Sequence, residues 1–113
     1  MTHDPRLDRE RRILDVLMAL SEGEVTTYGD VADVAGYPKQ SRLVGRILAD
    51  TEVEVPWWRV VNAAGRIVSG HPIEQRELLL GEGVSVVDDR VRNAPIGRFN
   101  RPEAPRPRSS TGP

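Results

Sequence analysis

The sequence predicts an α/β protein, mostly helical, folded as a single winged helix-turn-helix-like domain. Three observations lead there. Apolar residues recur with helical spacing over 6–20, 28–35 and 38–49, and 73–80 is rich in good helix formers. The second and third of these stretches are joined by a short turn, Gly36-Tyr37-Pro38, as in a helix-turn-helix. Short β-branched runs follow, at 24–27, 60–61, 67–68 and 84–87, enough for a small wing.

Each element has a local reason. Ile13, Leu14, Leu17 and Met18 share one face of the first helix, and Ser21-Glu22-Gly23 stops it. Thr27, three residues before Asp30, is placed to cap the helix from Tyr28 to Ala35, which Gly36 closes. Pro38 suits the first turn of the third helix, predicted to run through Ala49 with Leu43, Val44, Ile47 and Leu48 inward. After the acidic connector Asp50–Val55, Arg59–Ser69 reads as a hairpin, with strands at Val60-Val61 and Ile67-Val68 around the turn Asn62-Ala63-Ala64-Gly65. Gly70-His71-Pro72 breaks it, Ile73–Leu80 is helical, and Gly81-Glu82-Gly83 leads into a last strand at 84–87.

The chain has 113 residues, enough for one domain. That domain is expected to span residues 1–91. Residues 92–113 are rich in proline and arginine and poor in apolar side chains, and are expected to be a disordered tail. From Arg90 onward six arginines face one acid, so this end carries +5 and the remainder −6. A net charge of −1 does not by itself announce a nucleic-acid partner, and any such site must be local. No apolar run approaches the ~20 residues of a membrane span, and no membrane partner is expected. The start of the chain lacks an apolar signal segment, so a cytoplasmic protein is expected. Monomeric behaviour is expected as well.

There is no cysteine, which rules out disulfides, thiolate metal sites and cysteine nucleophiles. His3 and His71 have no second histidine at ligand spacing, and no phosphate-binding loop is present. No metal and no cofactor are expected.

The predicted third helix has an unusual composition. Gly45 in mid-helix costs ~1 kcal/mol against alanine, and Arg42 and Arg46 flank it. Two readings stay open: a phosphate backbone or groove wall approaches there, or the helix packs tightly on a neighbour through Gly45.

Four stretches then occur in order: Val25-Thr26-Thr27-Tyr28-Gly29-Asp30-Val31-Ala32; Pro38-Lys39-Gln40-Ser41-Arg42-Leu43-Val44-Gly45; Pro56, with Arg59-Val60-Val61 three residues on; and Leu78-Leu79-Leu80-Gly81-Glu82-Gly83. Together they resemble the C-terminal domain of the O6-alkylguanine-DNA alkyltransferases, over roughly Ile13 to Val86. In that family a cysteine and a histidine follow the proline, and the cysteine accepts the alkyl group. Here those positions are Trp57 and Trp58. The replacement resembles the alkyltransferase-like proteins, which bind alkylated guanine without repairing it and pass it to nucleotide excision repair.

The resemblance implies a non-enzymatic protein whose partners are duplex DNA containing O6-alkylguanine and nucleotide excision repair proteins. It implies that the second helix of the motif enters the minor groove. Tyr28, Pro38, Lys39, Ser41, Arg42, Gly45 and Arg46 would contact DNA, with Arg42 filling the gap left by a flipped base. Tyr28, Trp57, Arg59, Val60 and Ser69 would form the alkylated-base pocket. Flipping a base costs a few kcal/mol, and stacking on an indole returns ~1–3 kcal/mol. Arg59 is expected as a structural ion-pair partner, Glu82 as a structural acceptor, and Trp58 as ordinary core, since most alkyltransferase-like proteins keep histidine at its position. The connector 50–55 and the segment 69–74 look shorter than in the transferases. The alternative functions are a winged-helix transcription regulator reading DNA sequence, and a protein-interaction module.

Overall fold

A computed structural model describes residues 4–97 of the chain. His3 and the arginines from Arg98 onward lie outside the described residues.

Helix α1 (Pro5–Met18) begins at Asp4, whose carboxylate accepts the Arg6 amide, with Pro5 at a position where no amide is needed. Helix α2 (Tyr28–Ala35) starts at Thr27, whose hydroxyl accepts the Asp30 amide at 3.1 Å, and ends on Gly36 at φ 98°. Helix α3 (Ser41–Asp50) packs on α2, and α2 on α1. Ile13, Leu17, Val31, Ala32, Val44 and Ile47 fill the space between them.

Helix α3 starts later than the sequence predicts. Pro38 is not in its first turn: Lys39 takes a left-handed φ of 67° and Gln40 is not helical, so the chain turns before it winds. Pro38 and Lys39 are both exposed on that turn.

The predicted hairpin between Val60-Val61 and Ile67-Val68 does not form. Its turn does, with Gly65 N–H donating to Asn62 O at 2.8 Å. Strand β2 (Val60–Val61), however, pairs in parallel with β1 (Thr26–Thr27), Thr26 opposite Val60. Both short strands are buried, so the pairing that excludes water from their backbone wins. Ile67 N–H instead reaches Asp89 O at 2.8 Å, and Val68 is exposed. The wing hairpin is a later one, β3 (Val86–Val87) with β4 (Arg90–Val91). Its two-residue loop, Asp88-Asp89, has φ of 53° and 61°, the geometry a tight hairpin demands.

Helix α4 (Pro72–Gly81) lies against the 3-10 turn formed by Trp57–Arg59, which feeds β2. Gln75 on α4 is fully buried, and its amide nitrogen donates to the carbonyls of Trp58 and Val60 at 3.0 Å each. A second apolar cluster, Val25, Val61, Ile67, Leu79, Val84 and Val91, sits on this side.

Packing continues past residue 91. The Asn93 side chain accepts from Ser85 N–H and donates to Gly83 O, and Ala94 and Ile96 rest on the second cluster. The remainder of the expected tail, residues 98–113, lies outside the described residues.

Gln75 leaves a prediction. Gln75→Leu keeps the volume but takes the donor from the buried Val60 carbonyl and the part-buried Trp58 carbonyl, which, offset by loss of the unpartnered Gln75 Oε1, should cost roughly 1–3 kcal/mol. Thermal melting checks it; an unchanged melting temperature would mean the clamp contributes nothing.

Candidate nucleic-acid interface

The 3-10 turn, the connector before it and α3 enclose an open cleft of about 1190 Å³. It brings together Tyr28, Ser41, Arg42, Gly45, Trp57, Arg59 and Ser69 from the residues predicted to act. Four others lie elsewhere. Pro38 and Lys39 sit on the exposed turn before α3. Arg46 lines a shallow groove between α3 and α1, beside Arg9 and Asp50. Val60 is buried in the core directly behind Trp57.

Two faces of α3 explain this division. Val44 and Ile47 point inward, while Ser41, Arg42, Gly45 and Ala49 border the cleft. A Cβ added at Gly45 would meet no atom within 4 Å, so the glycine does not serve packing inside the protein. Of the two readings of Gly45, the internal one fails. What the missing side chain leaves is room on the outer surface, next to Arg42.

Trp57 is half-buried and stands edge-on to Trp58, with ring centroids 6.0 Å apart and planes at 88°. On its other side is His71, also at 6.0 Å and inclined at 63°. The indole stands between these two rings at the cleft wall. Tyr28 is half-buried opposite, and burial pushes its phenol above the ordinary value, so the hydroxyl stays neutral.

Below the cleft floor Glu82 collects the donors. Its carboxylate accepts from Gly23 N–H at 2.9 Å, from the Trp58 indole N–H at 2.7 Å, and from Arg59 at 2.6 Å (Nη2) and 3.0 Å (Nε). Arg59 also donates to Leu20 O at 2.8 Å and lies over the Trp58 ring at 5.3 Å. Burial alone would raise the Glu82 pKa, but the hydrogen bonds from Arg59, Gly23 and Trp58 outweigh it and hold the carboxyl below its ordinary value. Arg59 is therefore an ion-pair partner and Glu82 a structural acceptor, as read from the sequence. Trp58 is more than core: its indole N–H donates to this glutamate.

Sequence reasoning missed His71 and Gln75 as parts of the site. In the sequence His71 reads as a strand-breaking residue and an isolated histidine without a second ligand, and nothing in the linear order sets it against Trp57. Among the described residues no cluster of histidines, cysteines or carboxylates could hold a metal ion.

A helix-turn-helix presenting an arginine and an open glycine at the lip of an indole-walled cleft defines a DNA-binding domain. Residues 8–84 match the family described as 6-O-methylguanine DNA methyltransferase, DNA binding domain, and the chain belongs to that family. It is 45% identical over 80 residues to a protein of Escherichia coli named DNA base-flipping protein, a match covering 67% of this chain and 62% of that one. It thus spans less than two thirds of that relative. It is 33% identical over 81 residues to Alkyltransferase-like protein 1 of Schizosaccharomyces pombe, covering 66% of this chain and 75% of that protein. The fold is similar to a crystal structure of S. pombe Atl1 in complex with damaged DNA containing O6-carboxymethylguanine, with a TM-score of 0.66 and 31% identity over 77% of this chain and 83% of that one.

The Glu82 network makes stability depend on pH. Its carboxyl is ionised more readily in the folded chain than in the unfolded one. The stability it adds is therefore full above the unfolded value, about 4.3, and is lost as pH falls through the lower folded value. Glu82→Gln should lower stability at neutral pH by roughly 2–3 kcal/mol and flatten this acid limb. Urea titrations from pH 3 to 7 measure both, and an equally steep limb in the variant would refute the assignment.

Proposed function

We propose that this chain is a non-enzymatic sensor of O6-alkylguanine in duplex DNA, which holds the flipped base against Trp57 and leaves it unrepaired for nucleotide excision repair proteins to remove. The observation that carries this reading is Trp57 at the cleft wall, immediately after Pro56, in a chain with no cysteine. An indole cannot accept an alkyl group as a thiolate does, but it can stack on a base. The relatives' names and the damaged-DNA complex of S. pombe Atl1 support the same reading.

The residues divide the work. α3 lies along the minor groove, where open space at Gly45 admits the sugar-phosphate wall. Arg42, exposed and planar at its tip, enters the stack and occupies the gap. Tyr28 stays neutral and offers its hydroxyl to the rotated nucleotide's phosphate. Trp57 receives the base, and its apolar face favours the added alkyl group over bare guanine. Without an acceptor the lesion persists in the DNA, so removal falls to other proteins.

The decisive measurement uses the two indoles as reporters. Matched duplexes with O6-methylguanine or guanine are titrated while tryptophan emission is followed. Tighter binding and quenching with the alkylated duplex, with the lesion recovered intact, is the expected result. Equal binding of the two would eliminate lesion sensing and leave a reader of DNA sequence. Arg42→Ala should reduce the preference to about unity.

Gly45→Leu separates folding from binding. The site is open, so helix formation should be held or improved by up to ~1 kcal/mol, while duplex affinity should fall about tenfold (~1.4 kcal/mol). A variant that binds DNA as the wild type does would show that nothing approaches α3 at that position.

A further inference from the structure

We propose that the cleft selects its lesion by charge, favouring O6-substituents that end in an ammonium group over neutral ones and disfavouring carboxylates. This rests on the lesion-sensing function above and names the class of adduct that the same site takes.

Two independent features of the cleft point the same way. The first is aromatic. Tyr28, Trp57 and His71 line it, and Trp57 is half-buried with part of its surface open to the cavity. Aromatic faces attract cations, and several around one cavity make a cage for an alkylammonium. The adjacent indole already carries such a contact, with the Arg59 guanidinium 5.3 Å above the Trp58 ring.

The second is electrostatic. Glu52 and Glu54 on the connector and Glu74 on the first turn of α4 line the cleft from two sides. All three are exposed, and none takes part in an ion pair among the described residues. The cations that border the cleft do not offset them. Arg59 is bound to Glu82 at 2.6 Å, and Arg42 belongs to the DNA gap in the bound state. The cavity that receives the base is therefore left with three carboxylates and an aromatic wall. A positively charged substituent gains both contacts, a neutral one only the wall, and an anionic one meets three like charges.

This sets the chain apart from the S. pombe Atl1 complex, whose DNA carries the anionic O6-carboxymethylguanine. Three duplexes of one sequence test it: O6-(2-aminoethyl)guanine, the near-isosteric O6-propylguanine, and O6-carboxymethylguanine, each compared with unmodified guanine by fluorescence titration at 0.15 M salt. The expected order of affinity is aminoethyl, propyl, carboxymethyl, with steps of about three- to fivefold, as exposed and screened charges allow. Replacing all three carboxylates (Glu52→Gln, Glu54→Gln, Glu74→Gln) should compress the series to within about twofold. Equal or reversed affinities in the wild type would overturn the proposal, as would a series unchanged in the triple variant. If no alkylated duplex outcompetes guanine, lesion sensing itself fails; if all do so equally, only charge selection fails. The wild-type order decides even if the triple variant does not fold.

Discussion

Glu82 is the group on which this small protein depends. Its two carboxylate oxygens gather a backbone amide from the loop after α1, an indole N–H and an arginine fork from the 3-10 turn, and they do so from the end of α4. Three segments far apart in sequence are tied at one point. A charge that is mostly shielded from solvent must be met by several donors or it destabilises the fold, and here four nitrogen donors meet it. Arg59 carries the tie further, to Leu20 at the end of α1. This knot lies beneath the cleft and joins the segments that form its floor.

The same knot explains how the chain tolerates two tryptophans where the alkyltransferases carry a cysteine and a histidine. Trp58 is large, but its N–H falls on the glutamate and its ring receives the arginine. The polar network therefore persists with different chemistry. Trp57 takes no part in that network; it packs on the first apolar cluster and meets Trp58 and His71 edge-on. The two neighbours are thus divided, Trp58 anchored through its N–H to Glu82 and Trp57 lining the cleft.

Helix α3 shows a comparable economy. One side builds the core, and the other offers an arginine and an empty glycine position to the exterior. Arg46, only four residues from Arg42, borders a different groove beside Asp50. Positive charge at the lip is thereby concentrated in Arg42, the residue that borders the cavity and can reach past the helix.

The helices were legible in the chain because the first three carry apolar stripes and the fourth is rich in good helix formers, with Thr27 readable as a cap and Gly36 as a stop. Tyr28, Arg42, Gly45 and Trp57 stand in or beside the ordered motifs, and the structure sets them, with Ser69, around one cleft. Other features depend on partners distant in sequence. The parallel pairing of Thr26 with Val60 displaced a hairpin that local pattern favoured, because two buried residues cannot announce which strand will satisfy them. The delay of α3 at Lys39 reflects a left-handed backbone that lysine does not advertise. Gln75 and His71 read as an ordinary helix residue and a helix-start neighbour; only packing of α4 against the 3-10 turn gives one its carbonyls and the other its indole. Local periodicity and missing cysteine were thus written in the sequence itself. The shape of the cleft, and which residues face it, came from long-range contacts whose free energy exists only once the chain has closed on itself.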